Sequence, residues 1–65
     1  MKIKFNKDTE VNIVDKHDEV YSRNYTRGYI IDIDVMHNNG SFNNLVLNNG
    51  EVLIDIPRNN ITIIK

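Results

Sequence analysis

Residues 42–56, FNNLVLNNGEVLIDI, consist of two apolar runs that meet at Asn49-Gly50. Asn and Gly accept positive φ at low cost, so an Asn-Gly pair between apolar runs is a strong signal for a β-hairpin. A second pair, Asn39-Gly40, separates this stretch from an earlier apolar run. The two turns together predict an antiparallel meander of three strands.

Alternating apolar residues extend the predicted sheet toward the start of the chain. Val11 and Ile13 alternate with polar neighbours, so residues 10–15 are predicted to form a strand. Residues 28–36 alternate as well, and their core face is the one without carboxylates. That face holds Tyr29, Ile31, Ile33 and Val35, and the opposite face holds Ile30, Asp32, Asp34 and Met36.

The remaining strands are predicted from the same alternation. The strand at 42–47 is expected to turn Asn43, Leu45 and Leu47 inward. No window of the sequence has the apolar spacing of an amphipathic helix for more than one turn. Residues 16–27 are the longest polar stretch and are predicted to form a long loop or, alternatively, an irregular hairpin.

The end of the chain has its own turn signal. Val52, Ile54 and Ile56 are predicted to alternate with Leu53 and Asp55 along the strand 51–56. Pro57 ends this strand because proline has no amide hydrogen for the ladder. Residues 57–60 suit a single 3₁₀ turn, and 61–64 are predicted to form the last strand.

Size and composition limit the range of functions. A chain of 65 residues is predicted to form one domain, 1–65, and the absence of cysteine excludes disulfides and thiolate metal sites. A net charge of −1 gives no support for general nucleic-acid or membrane binding. Without an apolar stretch of about 20 residues or a signal peptide, a cytoplasmic location is expected.

The order strand, long loop, strand, turn, strand, turn, strand, 3₁₀ turn, strand resembles the SH3-like small barrels, which include Src-homology, Tudor and KOW modules. Residues 5–11, FNKDTEV, resemble the F-x-x-G-D-x-V opening of that family, and residues 28–33, GYIIDI, resemble its second strand. Residues 46–51 resemble its hairpin, and residues 56–61 its short helical turn. The resemblance implies an all-β, SH3-like barrel of about five antiparallel strands with a 3₁₀ turn before the last strand.

The resemblance leaves the ligand class open. The chain has no tryptophan and lacks the basic loop of KOW modules, so neither proline-peptide binding nor KOW-type RNA binding is implied. Abundant Asn and Ile are typical of AT-rich genes, as in low-GC bacteria and their phages. Small barrels in phages and mobile elements often bind host proteins, nucleic acid or their own copies, and the resemblance carries that expectation over.

The candidate binding residues are Tyr21, Arg23, Tyr25 and Arg27, which fall in the predicted loop with no acid among them. Arg provides a planar fork of donors and Tyr provides stacking area, and both are enriched at interfaces. The alternative is structural, with Tyr21 and Tyr25 packing the loop onto the barrel and Tyr29 in the core.

Other polar clusters favour structural interpretations. The charged segment 15–19 is predicted to be a solvated loop rather than a cation site, and His17 and His37 lack the spacing of metal ligands. Asp32 and Asp34 share a strand face, but so small a protein has little room for an enclosed catalytic pocket. No catalytic or nucleotide-binding motif occurs, so the protein is predicted to be no enzyme and to need no cofactor or metal.

The sequence therefore predicts a non-catalytic binding module, an accessory or inhibitor protein of a phage or mobile element that binds a host protein. A protein partner is favoured over nucleic acid because the net charge is slightly negative. The alternatives are a small nucleic-acid-binding barrel and a small-ligand sponge that acts as an oligomer. Strands that are apolar on both faces, such as 61–64, further predict a homo-oligomer or a hetero-complex formed through an edge strand.

Overall fold

A computed structural model describes residues 1–64 of the chain. Within that range the backbone forms short strands and one 3₁₀ turn, with no α-helix. The all-β class predicted from the Asn-Gly turns and the alternating residues is therefore confirmed. The described residues form the eight strands β1 (Lys2–Phe5), β2 (Thr9–Val14), β3 (Val20–Tyr25), β4 (Ile30–Asp32), β5 (Val35–Asn39), β6 (Phe42–Val46), β7 (Val52–Pro57) and β8 (Ile61–Ile64), with the 3₁₀ turn Arg58–Asn60 before β8.

The strands form two antiparallel sheets. The first has three strands in the order β4-β1-β8, and the second has five in the order β3-β2-β7-β6-β5. The chain passes from one sheet to the other at a bend, where the Ile33 N–H donates to Met1 O (2.7 Å) and the Asp34 N–H donates to Val46 O (2.8 Å). Within residues 1–64, the edge strands are β4 and β8 in the first sheet and β3 and β5 in the second, so strand pairing does not close into a ring.

The core lies between the inner faces of the two sheets. The N-terminal strand β1 is the central strand of the first sheet. Cross-strand apolar neighbours on one face explain why these short strands are stable together. Side chains with no solvent exposure come from both sheets and are Ile3, Phe5, Ile13, Leu45 and Leu53.

The predicted meander is confirmed as the consecutive strands β5, β6 and β7. Gly40 and Gly50 lie in its two turns with φ of 66° and 89°, a region that side chains with a Cβ rarely adopt. The inward residues of β6 and its continuation are also those predicted, since Asn43, Leu45 and Leu47 are all buried.

A β-bulge changes the alternation predicted for β7. The register between β6 and β7 shifts by one residue, which leaves an extra residue on β7. Asp55 takes a positive φ of 55° there, and its N–H donates to Asn44 Oδ1 at 2.9 Å. Leu53 and Ile56 consequently both face the core, although a regular strand would place them on opposite faces.

Of the two forms predicted for residues 16–27, the long loop is wrong, and most of the segment belongs to a hairpin. Residues 20–25 form β3, which pairs with β2 along its whole length, and only a short turn at 15–19 joins the two strands. The predicted strand at 28–36 is divided by the bend into β4 and the start of β5. These differences, together with β1, explain why residues 1–64 form eight strands where about five were predicted.

The bend also changes which residues of that segment face the core. Ile33 is buried and Ile31 is half-buried, as predicted. Tyr29 precedes β4 and is exposed, and Val35 follows the bend and lies on the outer face of the second sheet. A single alternation cannot describe residues that belong to two sheets.

Candidate functional site

Three of the four candidate residues lie together on β3, the edge strand of the second sheet. Tyr21, Arg23 and Tyr25 alternate along this strand and stand opposite Ile13, Val11 and Thr9 of β2. Cross-strand partners share a face, and these three β2 residues are all buried. The side chains of Tyr21, Arg23 and Tyr25 therefore extend the inner face of the sheet to its open edge.

Tyr25 is a core residue and not an exposed anchor. Only 4% of it is exposed, and its ring stacks on Phe5 with centroids 4.6 Å apart and planes 2° apart. The centroid of the Tyr29 ring lies 5.3 Å from that of Tyr25, and the two ring planes are tilted by 47°. Stacked aromatic rings stabilise a core beyond their buried area, so Tyr25 attaches β3 to the first sheet through β1.

The Arg23 guanidinium lies between the two tyrosine hydroxyls. Its Nη1 donates to Tyr25 Oη at 3.2 Å and its Nη2 donates to Tyr21 Oη at 3.3 Å. The guanidinium carbon is 5.6 Å from the Tyr21 ring centroid and 5.9 Å from that of Tyr25, within the range of cation–π attraction. Yet 44% of the Arg23 side chain stays exposed, so the group is held in place and still accessible.

Glu51 completes the cluster from the turn between β6 and β7. The Tyr21 hydroxyl donates to Glu51 Oε2, which also lies 3.7 Å from Arg23 Nη2. Asn49 holds the glutamate from the other side, because its Nδ2 donates to Glu51 Oε1 at 3.0 Å and its Oδ1 accepts the Glu51 N–H at 3.0 Å. A chain of polar groups thus runs from Asn49 through Glu51 and Tyr21 to Arg23.

Glu51 was absent from the candidates obtained from the sequence. It is 30 residues from Tyr21 along the chain, and its carboxylate reaches the tyrosine only because β7 pairs with β2. The sequence signal that could have identified Glu51 is local, because a glutamate directly after an Asn-Gly turn can be fixed by that asparagine.

Arg27 occupies a different place from the other candidates. It follows β3 by two residues, and its backbone N–H donates to Asp8 Oδ1 at 2.8 Å. Its side chain lines an open surface groove with Lys4 and Gly28. The structure therefore brings Tyr21, Arg23 and Tyr25 into one cluster and separates Arg27 from it.

The arrangement is chemically suited to binding. Arginine carries five N–H donors, and the two tyrosine hydroxyls accept from only part of this set. The nearby Glu51 carboxylate balances the positive charge, so a neutral acceptor such as a peptide carbonyl can approach Arg23 without a large electrostatic cost.

The acidic turn at 15–19 has a structural role. Asp15 Oδ1 accepts the backbone N–H groups of His17 at 2.8 Å and Glu19 at 3.0 Å, and Asp18 has a positive φ of 62°. These hydrogen bonds, of which the one from Glu19 has the larger effect, lower the pKa of the Asp15 carboxyl below its usual 3.8. Within residues 1–64, no group of three His, Cys, Asp or Glu side chains is placed to hold a metal ion.

The part of the chain described by the structure contains no helix long and apolar enough to cross a membrane. Comparison of the chain with protein-family models, with curated proteins and with solved structures found no match.

Proposed function

We propose that this protein is a non-catalytic binding module whose partner is another protein, bound along the open edge of β3 with Arg23 as the polar anchor. The observation that carries the proposal is the state of the Arg23 guanidinium, which is fixed by two tyrosine hydroxyls and remains 44% exposed. A donor group that is already ordered loses little entropy on binding, and arginine is frequent among the residues that dominate protein interfaces.

The edge itself supports a protein partner. β3 is six residues long, is in uninterrupted register with β2, and has no partner strand on its other side within residues 1–64. Natural edge strands are commonly protected by charged side chains, proline or a bulge, and of these β3 has only Arg23, the proposed anchor. A regular edge without proline or a bulge can accept an extended peptide as an additional strand.

We further propose that the two sheets are an SH3-like small barrel. Three features support this: β1 is paired with both β4 and β8, one bent segment belongs to both sheets, and a 3₁₀ turn precedes the last strand. In this interpretation β3 takes the place of the long loop that follows the first strand of the SH3-like order. It pairs with that first strand, β2, and extends the second sheet.

Binding of short linear peptides tests the role of Arg23. Peptides are selected from a random linear library on the wild-type protein, and their affinities are then measured by fluorescence polarisation for variants. We expect Arg23→Ala to weaken binding about tenfold or more, equivalent to about 1.4 kcal/mol. Arg58→Ala removes an exposed arginine from the 3₁₀ turn and serves as the matched control, with unchanged affinity expected.

Two results would contradict the proposal. Equal weakening by the Arg23 and Arg58 variants would indicate a nonspecific charge effect. Binding of single-stranded oligonucleotides without any peptide, with an affinity that falls steeply as salt is added, would favour nucleic acid as the partner instead. The feature that supports nucleic-acid binding is the groove lined by both Lys4 and Arg27. If nucleic acid binds there, Arg27→Ala would abolish the oligonucleotide signal.

A further inference from the structure

The outer face of the second sheet carries a continuous row of valines, one from each strand. Val14 stands opposite Val20 on β3 and opposite Val52 on β7. Val46 stands opposite Val52 and also opposite Val35 on β5. The valine row therefore crosses the entire sheet from edge to edge in the order Val20, Val14, Val52, Val46, Val35.

The valine row lies on the side away from the core. Its neighbours along the strands, Ile13, Leu45 and Leu53, have no solvent exposure, and alternation directs the valines to the other face. Val20 is 67% exposed and Val35 is 40% exposed at the two ends, while the three central valines are half-buried by one another.

Apart from Asp55, which the β-bulge leaves exposed beside Ile54 and opposite Asn44, the next row on the same face contains no formally charged side chain. It consists of a second apolar residue at its centre and uncharged polar residues or histidine around it. The register pairs Asn12 with both Ser22 and Ile54, and His37 with Asn44. The exposed face of an antiparallel sheet is normally polar, so a row of five valines followed by a row with a single carboxylate indicates a surface that is covered.

We propose that this face binds the same face of a second copy of the chain. The valine row is centred on β7, the middle strand of five, so it is close to symmetric about Val52. A twofold axis that runs parallel to the strands between two such sheets places Val52 against Val52 of the second copy. The same axis brings Val14 against Val46 and Val20 against Val35 of the second copy.

Charge selects this occupant over others. An acidic partner would find no opposite charge on the two rows and a basic partner would find only Asp55, so most charges of either partner would lose water without compensation. A second copy presents the same uncharged valine row, and with a net charge of −1 the two chains repel each other only weakly. The axis along the strands also places Ile54 against its own counterpart, which extends the apolar contact beyond the valines.

The size of the face is consistent with a weak dimer. Five strands at a spacing of about 4.8 Å and a height of about five residues give a footprint of roughly 400 Å². Standard interfaces bury about 800 Å² of accessible surface per partner, and the accessible surface of a side-chain layer exceeds its flat footprint. We therefore expect reversible dimers with a dissociation constant on the order of micromolar.

Sedimentation equilibrium between about 5 and 500 μM tests the proposal, because this range brackets a micromolar dissociation constant. The wild type is expected to pass from monomer to dimer. Val20→Lys with Val35→Lys, at the two most exposed valines, would place lysines of the two copies against each other. We expect this double variant to stay monomeric at about 100-fold higher concentration than wild type.

The matched control moves the same change to the first sheet. Ile30→Lys with Ile63→Lys also replaces two exposed apolar residues, which are 53% and 44% exposed, and should leave the dimer intact. Amide NMR spectra of both double variants establish that each is folded. A monomeric wild type over the whole range would overturn the proposal, as would a dimer that only the control variant disrupts, which would indicate pairing at the β8 edge.

Chemical cross-linking tests the axis directly. The chain has no cysteine, so Val52→Cys introduces a single thiol. Stacked sheets are about 10 Å apart, a gap that a short bismaleimide spans. We expect efficient dimer cross-linking of Val52→Cys at concentrations where wild type dimerises and little with Ile30→Cys. Equal yields for the two variants, or none for Val52→Cys, would overturn the face-to-face arrangement.

Discussion

β2 and β3 are adjacent, equally long and paired residue for residue, yet they place different types of residue on the inner face of the sheet. β2 alternates between buried and exposed residues, with Thr9, Val11 and Ile13 inward. β3 places Tyr21, Arg23 and Tyr25 on that same inner face. The difference follows from position, because β2 has a strand on both sides, whereas β3 has β2 on one side and an open edge on the other.

An edge strand can cover the core with amphipathic side chains. The ring of tyrosine and the methylene groups of arginine cover apolar surface, while their polar ends reach the rim. On β3 those ends hydrogen-bond to one another and to Glu51. The comparison teaches that the apolar content required of a strand depends on its place in the sheet.

The largest effect is expected from removal of the ring of Tyr25, which attaches β3 to the core. Tyr25→Ala should lower the free energy of unfolding by about 3–5 kcal/mol, since it leaves a cavity against Phe5. The total free energy of unfolding of a small domain is about 5–15 kcal/mol, so this variant should be largely unfolded or close to it. Urea denaturation followed by circular dichroism measures the change.

Tyr25→Phe is the control for that variant. It keeps the stacked ring and removes only the hydroxyl that accepts from Arg23, so a loss of about 1 kcal/mol or less is expected. Similar losses for the two variants would show that the hydroxyl, and not the ring, attaches β3, and the distinction drawn between β2 and β3 would fail.

An intermediate effect is expected at the contact between β3 and the β6–β7 turn. Tyr21→Phe removes the donor to Glu51, whose side chain is only 15% exposed, and should cost about 1–2 kcal/mol. Glu51→Ala, which removes the acceptor, should cost a similar amount or more. In a double-mutant cycle the two losses should not add, because both remove the same hydrogen bond; full additivity would contradict the contact.

The smallest effect is local to the turn that joins β2 to β3. The pKa of Asp15 is lowered in the folded protein, so its contribution is present at neutral pH and is lost in acid as pH falls through that lowered value. Asp15→Ala should speed hydrogen exchange at the His17 and Glu19 amides, with little change in global unfolding. Asp15→Asn keeps an acceptor and should preserve slower exchange at neutral pH; exchange that does not differ between the two variants would contradict the role of Asp15.

The parts of the fold predicted from sequence are those with local causes. Asn49-Gly50 requires nothing beyond positive φ and flanking apolar runs, and Pro57 ends a strand wherever it occurs. The inward set on β6 follows from alternation alone. These features could be recognised without knowledge of any strand partner.

The parts that were missed depend on neighbours far away in sequence. β3 reads as a loop because VYSRNY has no apolar alternation, and it becomes a strand by pairing with β2. The bulge at Asp55 depends on the pairing of β7 with β6. In the candidate site, the grouping of tyrosines and arginine on one segment was recognised, but the burial of Tyr25 and the participation of Glu51 required the tertiary structure.

The central position of β1 in the first sheet has a consequence for the order of folding. Three of the four pairings in the second sheet join consecutive strands, whereas β1 pairs with β4 and with β8, which lies at the far end of the described chain. Pairings that close long loops are slow because chain entropy is lost before the contacts form. We therefore expect the hairpins of the second sheet to form early and the insertion of β1 between β4 and β8 to set the folding rate.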